Sequence, residues 1–349
     1  MIIEGMNPLS PFTVMASMDK FRGTATARQL CDTVVKSLEG RDCGVDVQPM
    51  SDGGEGFRDA FEGDVIAVEV PGPWGVMVRA EVTMVATSTG VTAVLEVADV
   101  VGRHLLVSPT SEEALAASSA GVGHLIVAAI TLGAQSVLVG CGGSATSDGG
   151  LGCYEVLVRA GGLSVPLTAA TDVTARFSGA RRYAEQKGVD PTDLDRVDQL
   201  LRDARARYES EQGVDVETMD RAGASGGIPG GLAALGGRLA SGFNVVAQSV
   251  GLADRIARSS LVVTGEGRFD EGSLEGKVTV GIAELVRDSA ALLVVCGSID
   301  DEAARIFRRL YPSANLVSLV ERFGERRSMT ATSECLASVL ADEMNTRFA

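Results

Sequence analysis

Three short stretches of this chain set carboxylates among glycines: Met50–Gly56 (MSDGGEG), Cys141–Gly150 (CGGSATSDGG) and Thr264–Asp270 (TGEGRFD). Glycine lets backbone N–H groups come close to an anion, and Asp or Glu can hold a metal ion or accept a proton. Acids and glycines in one loop therefore suit a metal-bound polyphosphate. In the first stretch Asp52 and Glu55 flank Gly53 and Gly54. In the third, Glu266 and Asp270 stand among Gly265, Gly267 and Arg268, and Lys277 follows a further glycine step at Gly272 and Gly276. Phosphoryl transfer needs charge neutralisation by Mg2+ and cations, and a carboxylate to position the attacking hydroxyl. This segment carries candidates for both tasks.

The second stretch admits two readings. Gly142, Gly143, Ser144, Thr146 and Ser147 around Asp148, ahead of a helix, would make a nest whose N–H groups bind phosphate oxygens. The same residues would also make a tight strand-to-helix turn capped by Asp148. The density of glycine and hydroxyl favours the nest. Asp19–Arg22 (DKFR) adds Lys20 and Arg22, cations able to meet a phosphate or carboxylate, with a solvated turn as the plain alternative. Of 31 basic residues only Lys20, Lys36, Lys187 and Lys277 are lysines. Lys20, Lys187 and Lys277 lie beside glycine-rich segments, where a compact ammonium would be useful. Known nucleotide fingerprints fit poorly. GxxxxGK[ST] is absent, and Gly140–Ala145 matches GxGxx[GA] but finds no acid in Gly161–Pro166, where that pattern needs one.

The elements that must carry these loops show in the hydrophobic pattern. Ser136–Gly140 and Ser260–Thr264 are short apolar runs leading into the second and third loops, as buried strands of a parallel sheet do. Ligands of such sheets bind just beyond the carboxyl ends. Strand and helix patterns alternate over residues 12–49 and again after 260, whereas 64–97 has a period of two, the mark of a separate mixed sheet. Helices are expected over 110–132 with Ser111 as N-cap, 151–160, 192–211 and 278–288. The fold class is thus α/β with two domains. One is a doubly wound, flavodoxin- or Rossmann-like parallel-sheet domain (residues 1–66 and 250–349); the other is a mixed α/β domain inserted in it (residues 67–249).

Composition narrows the function. Forty-six acids against 31 bases, a net charge of −15 over 349 residues, argue against nucleic acid or an anionic membrane as partner. Six cysteines without a CxxC pair and two histidines argue against a zinc site or a histidine triad. Met1–Thr13 has no leader-like pattern and no apolar run approaches 18 residues, so a cytoplasmic protein is expected. Oligomeric state is left open, a homodimer included.

The loops together carry a resemblance. The chain resembles the bacterial glycerate kinases of the two-domain, glycerate 2-kinase type. Asp19–Thr24 is similar to that family's D-[SK]-F-K-G-[ST], Met50–Gly56 to M-A-D-G-G-E-G, and Gly142–Gly150 to G-G-S-A-T-N-D-G-G. Gly223–Gly227 is similar to G-A-[AS]-G-G, and Thr264–Asp270 with Gly276-Lys277 to T-G-E-G-R-[ILF]-D…G-K. The resemblance implies ATP and Mg2+ as cofactors, a small hydroxy acid as substrate, and transfer of phosphate to D-glycerate giving 2-phosphoglycerate. It also implies that the three acidic loops share one active cleft. Asp52, Glu266 and Asp270 would hold the metal; these acids or Glu55 would orient the hydroxyl. Asp172 is a further catalytic candidate. Lys20, Arg22, Arg268 and Lys277 would neutralise charge. Asp19, Gly53, Gly54, Glu55, Gly265, Gly267 and the nest from Gly142 to Asp148 would bind substrate and phosphate. Three departures stand out. The family's motif lysine is Arg22, the stretch D-V-x-N-P-L reads DVTARF from Asp172 to Phe177, and a usual glutamine is Gly272. They leave open a kinase of a related hydroxy acid or an inactive ligand-binding paralogue; an NAD-dependent oxidoreductase rests on Gly140–Ala145 alone.

Overall fold

The computed structural model describes residues 12–287 and 289–348. Residues 1–11, part of both the leader reading and the first expected domain range, and residue 288 of the expected helix 278–288 lie outside the described residues. The chain divides into two compact units, one formed up to Asp52 and from Phe243 onward, the other by Gly53–Gly242. The division thus falls within the loop Met50–Gly56, earlier than the expected crossing at 66. Asp64–Pro71 pairs with the second sheet, which draws its whole approach into the second unit.

In the first unit five parallel strands run in the spatial order Asn315–Ser318, Ala291–Cys296, Leu261–Thr264, Thr13–Ala16, Gly44–Val47. The central strand Leu261–Thr264 is buried throughout, which is why its sequence is a continuous apolar run. Helix Ala27–Ser37 packs on helix Thr332–Phe348. Leu30, Val34, Leu336, Val339 and Leu340 join Val14, Val263 and Val295 in one core. The first of these helices starts at Thr26, which exchanges hydrogen bonds with Gln29 in a capping box (3.2 and 2.9 Å). A small parallel pair, Arg268–Phe269 with Ser298–Ile299, ties the third acidic loop to the strand beside it.

The second unit is a six-stranded mixed sheet in chain order: Asp64–Pro71, Met77–Thr87, Gly90–Glu96, Ser136–Gly140, Leu167–Thr171 and Arg238–Ser241. The first two pairings are antiparallel and the rest parallel. Leu167–Thr171 and Arg238–Ser241 were not expected, because four or five small and polar residues carry no clear period. The stretch 110–132 is two helices, Ser111–Ala116 and Ala120–Thr131, and the first is capped by Thr110 rather than Ser111. An 18-residue window within Ser111–Thr131 reaches a mean hydropathy of 1.6, enough by length and composition alone to cross a bilayer. The stretch breaks at Ala117–Ser119, and burial of Val122, Leu125, Ile126 and Ala129 makes its second part a core helix. Beside this core lies a second one, where Tyr154, Phe177, Leu201, Ala204 and Tyr208 pack under the glycine-rich loops.

Candidate functional site

Each unit carries its own set of reactive groups at the carboxyl ends of its parallel strands. In the first unit the strand Thr13–Ala16 runs through Ser17 and Met18 to Asp19, whose N–H donates to the Gly265 carbonyl at 3.0 Å. Gly265 lets the strand on its other side come close: a Cβ there would stand 1.7 Å from the Val295 carbonyl oxygen. Asp19 is 7% exposed and accepts from the Lys20 N–H at 2.8 Å. Burial, and then the Asp52 carboxylate, push its pKa to about 8, against the pull of Lys20. Glu266 is 8% exposed. Its Oε2 accepts from the Ser273 hydroxyl at 2.7 Å, while its Oε1 makes no hydrogen bond within the protein. Burial lifts its pKa to about 7; the nearby hydroxyls of Thr279 and Ser273 and the Lys277 ammonium oppose that rise, and Asp52 adds to it. Lys277 Nζ stands 3.9 Å from Asp52 Oδ2. Asp19, Asp52 and Glu266 therefore feel one another, with Lys277 as the near cation.

Asp270 departs from this group. It caps the 3-10 turn Glu271–Glu275 by accepting from the Gly272 N–H at 3.0 Å, and lies 3.5 Å from the exposed Arg268 guanidinium. Among the described residues no group of three acids, histidines or cysteines is placed to hold a metal ion, and Asp270 gives one carboxylate oxygen to the turn that follows it. Lys20 is half-buried beside Asp19, and Arg22 is exposed; Gly267 passes close to the Arg22 N–H, where a Cβ would come within 3.1 Å.

In the second unit the first and second acidic loops meet backbone to backbone. A Cβ on Gly142 would lie 2.4 Å from Gly54 Cα, and one on Gly53 (φ +97°) would lie 2.9 Å from the Ala170 carbonyl. Glu96, at the end of its strand, holds the continuation of that loop by accepting from the Gly56 and Arg58 N–H groups at 3.1 and 2.7 Å. Burial pushes its pKa to about 7, and the backbone N–H of Arg58 works against this. Glu55 itself is exposed. Asp148 spends both carboxylate oxygens on structure. It accepts from Ser119 N–H and Oγ–H at 2.8 and 2.7 Å, and from Gly150 and Gly152 N–H at 3.1 and 3.2 Å. Those are the bonds of a cap. The hydroxyls beside it differ: Thr146 Oγ1 and Ser147 Oγ are buried without a hydrogen-bond partner. Gly143 is exposed at φ +65° on the same loop.

Two residues outside the expected set belong here. Lys187 is 3% exposed and donates to the Thr146 carbonyl at 2.6 Å and the Ser144 hydroxyl at 3.3 Å. The scarcity of lysine was the signal for it. Arg221 stands at φ +74° and donates to the Thr171 carbonyl and hydroxyl, both at 3.3 Å, just before the half-buried Asp172. Nothing in its local sequence marks that backbone. Asp172 directly follows Leu167–Thr171, so the strand after Gly140–Ala145 does end in an acid. The dinucleotide reading fails on other grounds: helix Leu151–Arg159 starts only after the whole loop, leaving no helix N-terminus at Gly140–Ala145. All six cysteines are free.

The chain is similar to several known proteins. The chain is 40% identical over 278 residues to an uncharacterized protein of Mycobacterium bovis, covering 74% of this chain and 72% of that one. It is 29% identical to the glycerate 2-kinase of Escherichia coli, covering 83% and 86%. The crystal structure of a putative glycerate kinase 2 from Salmonella typhimurium shares its fold, with a TM-score of 0.75 over 96% of this chain and 99% of that one at 23% identity. Residues 14–160 and 158–346 match the profile of the glycerate kinase family, so the chain belongs to that family and is a kinase.

Proposed function

We propose that the protein transfers the terminal phosphoryl group of ATP to a hydroxyl of D-glycerate, giving 2-phosphoglycerate. The observation that carries this reading is the pair of buried carboxylates Asp19 and Glu266 with the half-buried Asp52 beside Lys277. Mutually repelling carboxylates in a dry site are stabilised by a cation, and Glu266 Oε1 has a lone pair unused by the protein. Mg2+ commonly takes one or two carboxylates and completes its shell with phosphate oxygens and water, so the set fits it without a three-residue cage. Asp52 and Glu266 would hold the ion, which would neutralise charge on the transferring phosphoryl group. Asp19, buried beside them, would accept the proton of the attacking hydroxyl. Lys277, Lys20 and Arg22 offset charge on phosphate and carboxylate. Asp270 positions the turn that carries Ser273, and so holds Glu266 indirectly. Within the second unit the Gly142–Gly150 loop would bind phosphate oxygens. The glycerate 2-kinase relative supports the choice of the 2-hydroxyl, and six free cysteines fit a reducing, cytoplasmic setting.

A coupled ADP-release assay over a panel of small hydroxy acids, with 31P NMR of the product, tests this. Turnover is expected with D-glycerate and Mg–ATP, with phosphate on the 2-oxygen. Turnover with a different acid but not glycerate would remove the substrate claim, and no ADP from any acid would remove the activity.

A further inference from the structure

Among the described residues Lys187 is the one lysine or arginine less than a tenth exposed, and its hydrogen-bond partners are neutral: the Thr146 carbonyl and the Ser144 hydroxyl. Three hydroxyls on the same loop and the adjoining turn, Thr146 Oγ1, Ser147 Oγ and Ser225 Oγ, are buried with no hydrogen-bond partner. The turn Ser225–Gly227 is forced against this group. Its residues take φ of +48°, +71° and +97°, and a Cβ on Gly226 would fall 2.0 Å from the Thr146 carbonyl oxygen and 2.9 Å from Lys187 Nζ. A buried cation and three unsatisfied hydroxyls each cost free energy unless an acceptor arrives. Strain at the non-glycine Ser225 points the same way.

We propose that Lys187, with the hydroxyls of Ser144, Thr146, Ser147 and Ser225, forms a subsite for a phosphoryl group. A phosphoryl group offers several acceptor oxygens to several donors, and a compact ammonium serves it as a point charge, whereas a planar carboxylate is better matched by an arginine fork. The inference rests on the kinase reading and adds to it a cation and a turn, Lys187 and Ser225–Gly227. The charged groups facing Lys187 are Asp148, which favours the ammonium, and Arg103, which disfavours it; burial dominates both and lowers the pKa to about 7. Anion binding therefore draws a proton onto Lys187.

The test is calorimetric titration of the full chain at pH 8 in two buffers of different ionisation enthalpy. The probes are a Mg-bound non-hydrolysable ATP analogue, 2-phosphoglycerate and D-glycerate. Wild type is expected to take up between about half a proton and one proton with a phosphorylated probe. Lys187→Met is expected to lose that uptake and about tenfold or more in affinity for the phosphorylated probe, with D-glycerate affinity unchanged. Lys187→Arg, which keeps the charge, should retain most affinity without proton uptake, and so guards against a simple folding defect. The analogue and 2-phosphoglycerate arms tell a nucleotide phosphoryl group from a product one. Unchanged affinity and uptake in Lys187→Met would overturn the subsite, as would a loss confined to D-glycerate. Binding does not depend on turnover. Analogue binding with proton uptake, but no ADP from glycerate, would leave the subsite standing and remove the acceptor.

Discussion

The carboxylates of the first unit and the lysine of the second are mirror images of one physical situation. Burial raises Asp19 to about 8 and Glu266 to about 7, and lowers Lys187 to about 7. In both places the charged form is held away from water without a full complement of opposite charge. The acids have each other as neighbours and so an excess of negative charge. Lys187 has only neutral oxygens as hydrogen-bond partners, with Asp148 and Arg103 acting on it in opposite senses. The first set would be relieved by a cation and the second by an anion. Groups left in this state destabilise the fold in exchange for activity, and the comparison can be broken by changing them one at a time.

The largest effect is expected at the acids. Asp52→Asn and Glu266→Gln should each lower kcat by about 10²–10⁴-fold, with melting temperatures no lower than wild type, since each removes a repelling charge. Turnover within threefold of wild type would end the metal assignment. Next is Phe177→Ala. That ring lies 3.1, 2.9 and 2.5 Å from where a Cβ would sit on Gly149, Gly227 and Gly230. Removing it should cost about 3–5 kcal/mol in chemical denaturation. A cost below about 1 kcal/mol would show that the glycine loops do not depend on it. Asp270→Asn then sharpens the contrast with Glu266. Asparagine caps as well as aspartate, so kcat should stay within about tenfold and stability should hold; a fall matching that of Glu266→Gln would return Asp270 to the metal.

The two regions should also give opposite slopes of melting temperature against pH, measured with EDTA present. Asp19 moves from an ordinary 3.8 to about 8. The native state therefore keeps a proton the unfolded chain has released, and stability falls as pH rises from about 4 to about 8. Lys187 moves from 10.5 to about 7, so the unfolded chain holds the extra proton and stability rises with pH between those values. Asp19→Asn should flatten the fall and Lys187→Met the rise; slopes that do not change would disprove the two burials as causes. The smallest effect is expected at Glu96→Gln, which weakens the hold on Gly56 and Arg58. A loss of about threefold in kcat is anticipated, together with loss of any inflection it contributes near pH 7; an unaltered profile would confine Glu96 to packing.

Much of this was legible in residue types and spacing. The three acidic glycine loops, the strands before the second and third, and the family all follow from local sequence, because a glycine-bounded apolar run and a dense motif need no partner to be recognised. Asp148 was legible only as a choice between nest and cap, and its four donors, two of them on Ser119, decide for the cap. Strands Leu167–Thr171 and Arg238–Ser241 were hidden because small and hydroxyl residues become strands only when a neighbouring edge is available to them.

The amino-acid order by itself determined the chemistry on offer: carboxylates, ammonium groups, hydroxyls, and glycines to bring backbone close. Tertiary structure decided which of them are buried together. Asp19, Asp52 and Glu266 come from three separate segments, and Lys187 meets Ser144 and Thr146 from more than 40 residues away. Desolvation and mutual charge exist only once those segments are packed, so the shifts that make Asp19, Glu266 and Lys187 useful near neutral pH belong to the fold.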